Sequence, residues 1–147
     1  MPFYTEVHST KKFRLGTKKT ANNGNEYIYL QGVANCADGS WVTFDEDHVT
    51  TLAVANAQGR VAIANAAVDA TTEYGWFTIY GREDGLCLTG FVDNGKVYLT
   101  ATAGSVDDAD VAGDVVIGAI GRSARDTTTG MAEFELNYPV VMDLAID

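Results

Sequence analysis

The chain has 147 residues, 46% of them hydrophobic and 20% charged, with a formal net charge of −10. A single domain of this size buries about 68–70% of the surface that its unfolded chain exposes, so neither a disulfide framework nor a metal is needed for folding. Charge is unevenly placed: residues 1–25 hold Lys11, Lys12, Arg14, Lys18 and Lys19 against Glu6, a net of +4 within the total of −10, and residues 26–147 therefore carry −14. That body repels a phosphate backbone, which excludes a nucleic-acid-binding domain.

No stretch offers the 18 uncharged apolar residues that a spanning helix needs, and MPFYTEVHSTKKF lacks a signal-like apolar run, so the expectation is a soluble protein made in the cytoplasm, with no membrane partner. Cys36 and Cys87 lie far apart without C-x-x-C spacing and read as reduced core residues.

In chain order, residues 1–25 read as an extended basic N-terminal arm and residues 26–147 as one antiparallel β-domain. Strand signals recur at 26–32, 40–46, 49–55, 60–64, 74–81, 86–92, 96–102, 115–121 and 131–138, each short and rich in Val, Ile, Thr, Tyr or Phe. Asn23-Gly24, Asp38-Gly39, Gln58-Gly59, Asp84-Gly85 and Asn94-Gly95 place glycine where a turn needs positive φ. Such punctuation predicts an all-β fold, a single small antiparallel barrel or sandwich of eight or nine short strands with little helix, one helical turn near 65–72 being the exception.

Strands 74–81, 86–92 and 96–102 follow one another across REDG and DNG and predict a three-stranded meander. In 131–138, Phe134, Leu136 and Tyr138 share one face while Glu133, Glu135 and Asn137 share the other. Its partner VVIGAIG alternates apolar residues on both faces and reads as buried on both sides or packed on a neighbouring subunit. Between them RSARDTTTG reads as a projecting loop.

Catalytic signals are sparse. His48 sits beside Asp45, Glu46 and Asp47 at a strand end, where a solvated acidic turn is the commoner outcome, and His8 lies in the arm. No serine has a G-x-S-x-G context, and no glycine-rich phosphate loop opens a helix. Asp107, Asp108, Asp110 and Asp114 form an acidic loop without the spacing or terminal glutamate of an EF-hand. The residues thus predict a protein that is not an enzyme and holds no cofactor. Trp41, Trp76, Phe77, Tyr80, Phe91 and Tyr98 read as core and cross-strand pairs, with a sugar platform as the other reading.

The run from LGT (15–17) through NGNEYIYLQGVANCADGSWVTFDE (23–46), together with VAIANAAVDATTEYGWFTIYG (61–81) and DVVIGAIGRSARDTTTGMAEFELNYPVV (114–141), resembles the small head-decoration, or capsid cement, proteins of tailed bacteriophages. The resemblance implies an all-β structural virion protein, commonly a homotrimer, that binds the outer capsid surface and stabilises the shell by bridging neighbouring major capsid subunits. It makes Phe3, Tyr4, Lys11, Lys12, Phe13, Arg14, Lys18 and Lys19 candidate shell contacts, aromatics as anchors and cations as steering. Arg122 and Arg125 are the candidate docking or trimer loop, and Gly118 and Gly121, beside the small Ala119, suggest close approach of another backbone. The rival readings are a carbohydrate- or receptor-binding β-module of a fibre or adhesin, a small trimeric nucleotide hydrolase, and a tail-tube or connector protein.

Overall fold

The computed structural model describes residues 2–144 and is all-β, with one 3-10 turn at Pro2–Thr5. Its strands are β1 (Val7–His8), β2 (Lys18–Thr20), β3 (Glu26–Gln31), β4 (Trp41–Phe44), β5 (Thr50–Leu52) and β6 (Gly59–Ala64). These are followed by β7 (Tyr74–Leu86), β8 (Lys96–Leu99), β9 (Val106–Asp107), β10 (Val115–Gly121) and β11 (Met131–Val141). They pair antiparallel in the order β2-β3-β7-β6-β11-β10-β8-β9, with β1 added to β7 and the β4–β5 hairpin to β6. The sheet does not close into a barrel. It folds over on itself, so of the two architectures expected, the sandwich is the nearer.

Period-two alternation explains the folding over. On β6, Val61 and Ile63 enter a cluster with Trp41, Phe91, Phe134 and Leu136, whereas Ala62 and Ala64 enter a second with Ile28, Leu30, Phe77 and Ile79. Both faces of β6 are therefore dry, as are those of β4, where Trp41 joins the first cluster and Val42 the second. A third cluster of Tyr4, Tyr27, Tyr29 and Trp76 lies on the opposite face of β3 and β7 from the second.

The expected meander does not form. REDG (82–85) is not a turn: β7 runs on through it, pairing with β3 and β6 before Gly81 and with β11 from Tyr80 to Leu86. Gly81 takes φ of 101°, and a Cβ there would collide with the Asn25 carboxamide. Asn25 clamps this corner, its Nδ2 donating to Arg82 O at 2.7 Å and its Oδ1 accepting from Arg82 N at 3.1 Å. Gly85 serves close approach instead of a turn, since a Cβ would stand 2.8 Å from Trp41 Nε1, which donates to Leu86 O at 3.1 Å. Leu86 ends β7 and residues 88–92 form no strand of their own; Gly90, with φ of 95°, reverses the chain and drops Phe91 onto Phe134, ring centroids 5.1 Å apart. Nor is there a helix at 65–72, which runs as bends and coil into a single turn closed by Glu73 N donating to Ala70 O at 3.1 Å, with Val68 buried in the second cluster.

The β10–β11 hairpin forms, with a register shift between Ile117 and Ala119. Gly118 makes that bulge: its φ is 88°, and a Cβ would lie 2.7 Å from Asn137 O. The bulge breaks the two-faced burial expected of VVIGAIG, so Val116 is buried while Ile117 is 46% exposed. It also ends the one-face alternation of β11, where Phe134 and Leu136 are buried but Tyr138 is 43% exposed in a left-handed conformation, φ 49°.

Candidate docking face

Residues 2–25, the described part of the leader, contribute two strands to the sheet. β1 pairs with β7 at Val7↔Gly75, and β2 pairs with β3 at Lys18↔Ile28, so Asn23-Gly24 lies in the hairpin turn between β2 and β3. The physical reason is the third cluster, since Tyr27, Tyr29 and Trp76 need a cover. Tyr4 stacks on Tyr27 at 4.2 Å and meets Trp76 edge-on at 5.5 Å; Phe13 meets Tyr29 at 5.4 Å and Trp76 at 5.2 Å, also edge-on. His8 is a pin, its Nδ1 2.9 Å from Tyr29 OH, to which Lys12 N also donates at 3.2 Å. Phe3 has its backbone in the 3-10 turn, and its side chain lies outside the described part of the chain.

The leader's cations are thereby held outward on a fixed path. Lys11, Lys12, Arg14, Lys18 and Lys19 are all exposed, with Lys11 Nζ 5.9 Å above the Tyr74 ring and Lys19 Nζ 5.6 Å from that of Phe13. Tyr4 and Phe13, expected as outward anchors, face inward instead: Tyr4 is buried and Phe13 half-buried. Next to them a shallow groove of about 520 Å³ brings Lys11 and Arg14 together with Glu46, Asp47 and His48. The His48 ring lies against Gly16, where a Cβ would approach it within 2.5–2.8 Å. Sequence separation hid this meeting of the leader with the β4–β5 turn.

The 122–130 loop is tethered at its base and exposed at Asp126, Thr127, Thr128 and Thr129. Arg125 Nε donates to Cys87 O at 2.9 Å, and Arg122 bridges Glu135 at 2.8 Å and Asn94 Oδ1 at 2.9 Å. Both arginines thus have partners within the chain. Gly121 receives the Phe91 ring as Gly118 receives Asn137, so the close approach expected of these glycines is met by the chain's own atoms.

Burial pushes the Cys87 thiol up to about 11 although the Arg125 charge opposes the shift, and burial likewise pushes Cys36 to about 11. Neither is a thiolate near neutral pH, which leaves both without nucleophilic character. Asp114 is buried and accepts from Asn56 N at 2.8 Å, while Asp108 accepts from Val92 N at 3.0 Å; these two carboxylates of the acidic loop hold backbone amides. Among the described residues the carboxylates near enough together to share an ion are Asp45, Glu46 and Asp47, all exposed. Glu83 is pushed above the ordinary glutamate range by burial, against a 2.8 Å hydrogen bond from Thr78 Oγ1.

Of the aromatics weighed as a sugar platform, Trp41, Trp76, Phe77, Phe91 and Tyr98 are buried. Tyr80 alone of that set is open to solvent, beside Tyr138 at 5.2 Å. Among the described residues, no helix is long and apolar enough to cross a membrane. Comparison with known protein families, curated proteins and solved structures finds no match for this chain.

Proposed function

We propose that the chain is a non-enzymatic structural protein of the virion, a head-decoration protein that binds the outside of a phage capsid and bridges neighbouring major capsid subunits as a homotrimer. The reading rests on the resemblance of 15–46, 61–81 and 114–141 to capsid cement proteins, and the observation that carries its mechanism is the ordered cationic leader. Five cations stand on a ring-stacked strap fastened to a body of opposite sign. Preorganised side chains lose less freedom on docking than those of a flexible tail, and their field steers the protein onto an acidic surface. The acidic remainder keeps the protein away from packaged DNA. Burial of Trp41 and Trp76 leaves the carbohydrate-binding alternative without a tryptophan platform.

The test is co-sedimentation with empty phage heads, with solution mass from light scattering. Charge reversal at Lys11, Lys12, Arg14 and Lys19 keeps the inward rings and should lower occupancy at least tenfold, with a salt dependence that flattens. A wild-type protein that is monomeric and stays in the supernatant, or a reversed variant with full occupancy, would overturn it.

A further inference from the structure

A second concavity of about 250 Å³ lies on the other face of β3, beside the second cluster, where Ile28 and Ile79 are buried and Phe44 is half-buried. Its apolar wall includes Ile28, Phe44 and Ile79, and Lys18, His48 and Arg60 stand around it. Register explains the grouping. Lys18 is directly opposite Ile28 and Arg60 directly opposite Phe44, so each basic side chain leaves the sheet on the same face as an apolar member of the wall. Among the described residues neither Lys18 nor Arg60 has a carboxylate within ion-pair distance, in a chain with 20 acidic residues.

The lip adds an independent sign. Tyr138 has φ of 49°, an outlier for a bulky side chain, and its hydroxyl donates to Glu26 Oε2 at 2.6 Å. That bond engages the Glu26 carboxylate. His48 also has positive φ, 62°, so two residues around one cavity hold sparsely populated backbone.

We propose that this cavity receives an acidic peptide segment of another protein, one apolar side chain entering against Ile28, Phe44 and Ile79 while flanking carboxylates meet Lys18, Arg60 and the His48 imidazole. Charge complementarity selects an anionic partner, and the volume, below the roughly 300–1,000 Å³ of small-molecule sites, suits a single large side chain. β2, which carries Lys18, ends the sheet order and among the described residues pairs only with β3, so an extended segment has a strand edge beside it. The inference goes beyond shell binding and needs no capsid.

The experiment is fluorescence anisotropy of the isolated protein with a short dye-labelled peptide of aspartates and glutamates around one phenylalanine. The wild-type protein should bind it, Lys18→Ala with Arg60→Ala should weaken it at least tenfold, and Lys96→Glu, on β8, should leave it unchanged. Replacing the peptide's phenylalanine by alanine should cost about tenfold or more, the worth of one buried aromatic side chain. Methyl NMR should show Ile28 and Ile79 shifting on titration, and unchanged circular dichroism certifies the fold of each variant. Absence of binding, equal binding of the alanine peptide, equal binding to the double variant, or displacement of the peptide by phenylacetate at equal concentration would each overturn the proposal, the last by making this a small-acid site.

Discussion

Two aromatic layers of this protein are made from similar residues and closed by different means. The inner one, around Trp41, Phe91 and Phe134, is enclosed by strands from both halves of the folded sheet, with Trp41 and Phe134 edge-on at 4.9 Å. The outer one, around Tyr27, Tyr29 and Trp76, is covered by the leader, through Tyr4, Phe13, Leu15 and Ala21, with Tyr74 of β7 beside them. The contrast separates what holds the domain together from what positions its charge. Rings in the first layer are stability; rings in the second fix the path on which the cations stand.

The contrast can be broken most severely from inside. Phe134→Ala should cost about 3–5 kcal/mol in chemical denaturation, because it empties a site packed on all sides. Phe13→Ala should cost about 1–2 kcal/mol, the scale of its two edge-on ring contacts, and should redshift tryptophan emission as Trp76 is uncovered while the fold persists. Equal losses at the two positions would erase the distinction between layers.

Glu83, near the seam of the two layers, gives an effect of opposite sign. Burial raises its folded pKa, as it does for Asp38 and Asp84. A raised carboxyl contributes stability that is present below its unfolded pKa and lost as pH rises through the folded value. Glu83→Gln should therefore raise Tm near neutral pH and flatten the decline of Tm that begins above the ordinary glutamate range; a lowered Tm at neutral pH would show that the Thr78 hydrogen bond outweighs burial. Smallest is Arg122→Ala, where loss of a surface pair with Glu135 should change stability by about 0–1 kcal/mol, measured by the same denaturation.

Much of this architecture was legible in residue patterns. The all-β class, β3, β4, β6, β10 and β11 followed from β-branched and aromatic runs between glycine turns, because those signals are local. The meander failed since Asp84-Gly85 looks like a turn but serves Trp41, and a glycine needed for close approach is identical in sequence to one needed for positive φ. The candidate shell cations were visible as a charge run. That they stand on a strap and not on a loose tail was not, because Tyr4 and Phe13 find Trp76 and Tyr29 only across long sequence separations.

The 250 Å³ cavity marks the same boundary most sharply. Composition and periodicity are enough to say that strands form and that half of the cations lie at one end of an acidic chain, for each of these depends on neighbours a few residues apart. Placing Lys18, His48 and Arg60 around one apolar wall depends on strand register and on the corner at Gly81. Register comes from the summed packing of all three clusters, a property of the folded whole that no short stretch encodes.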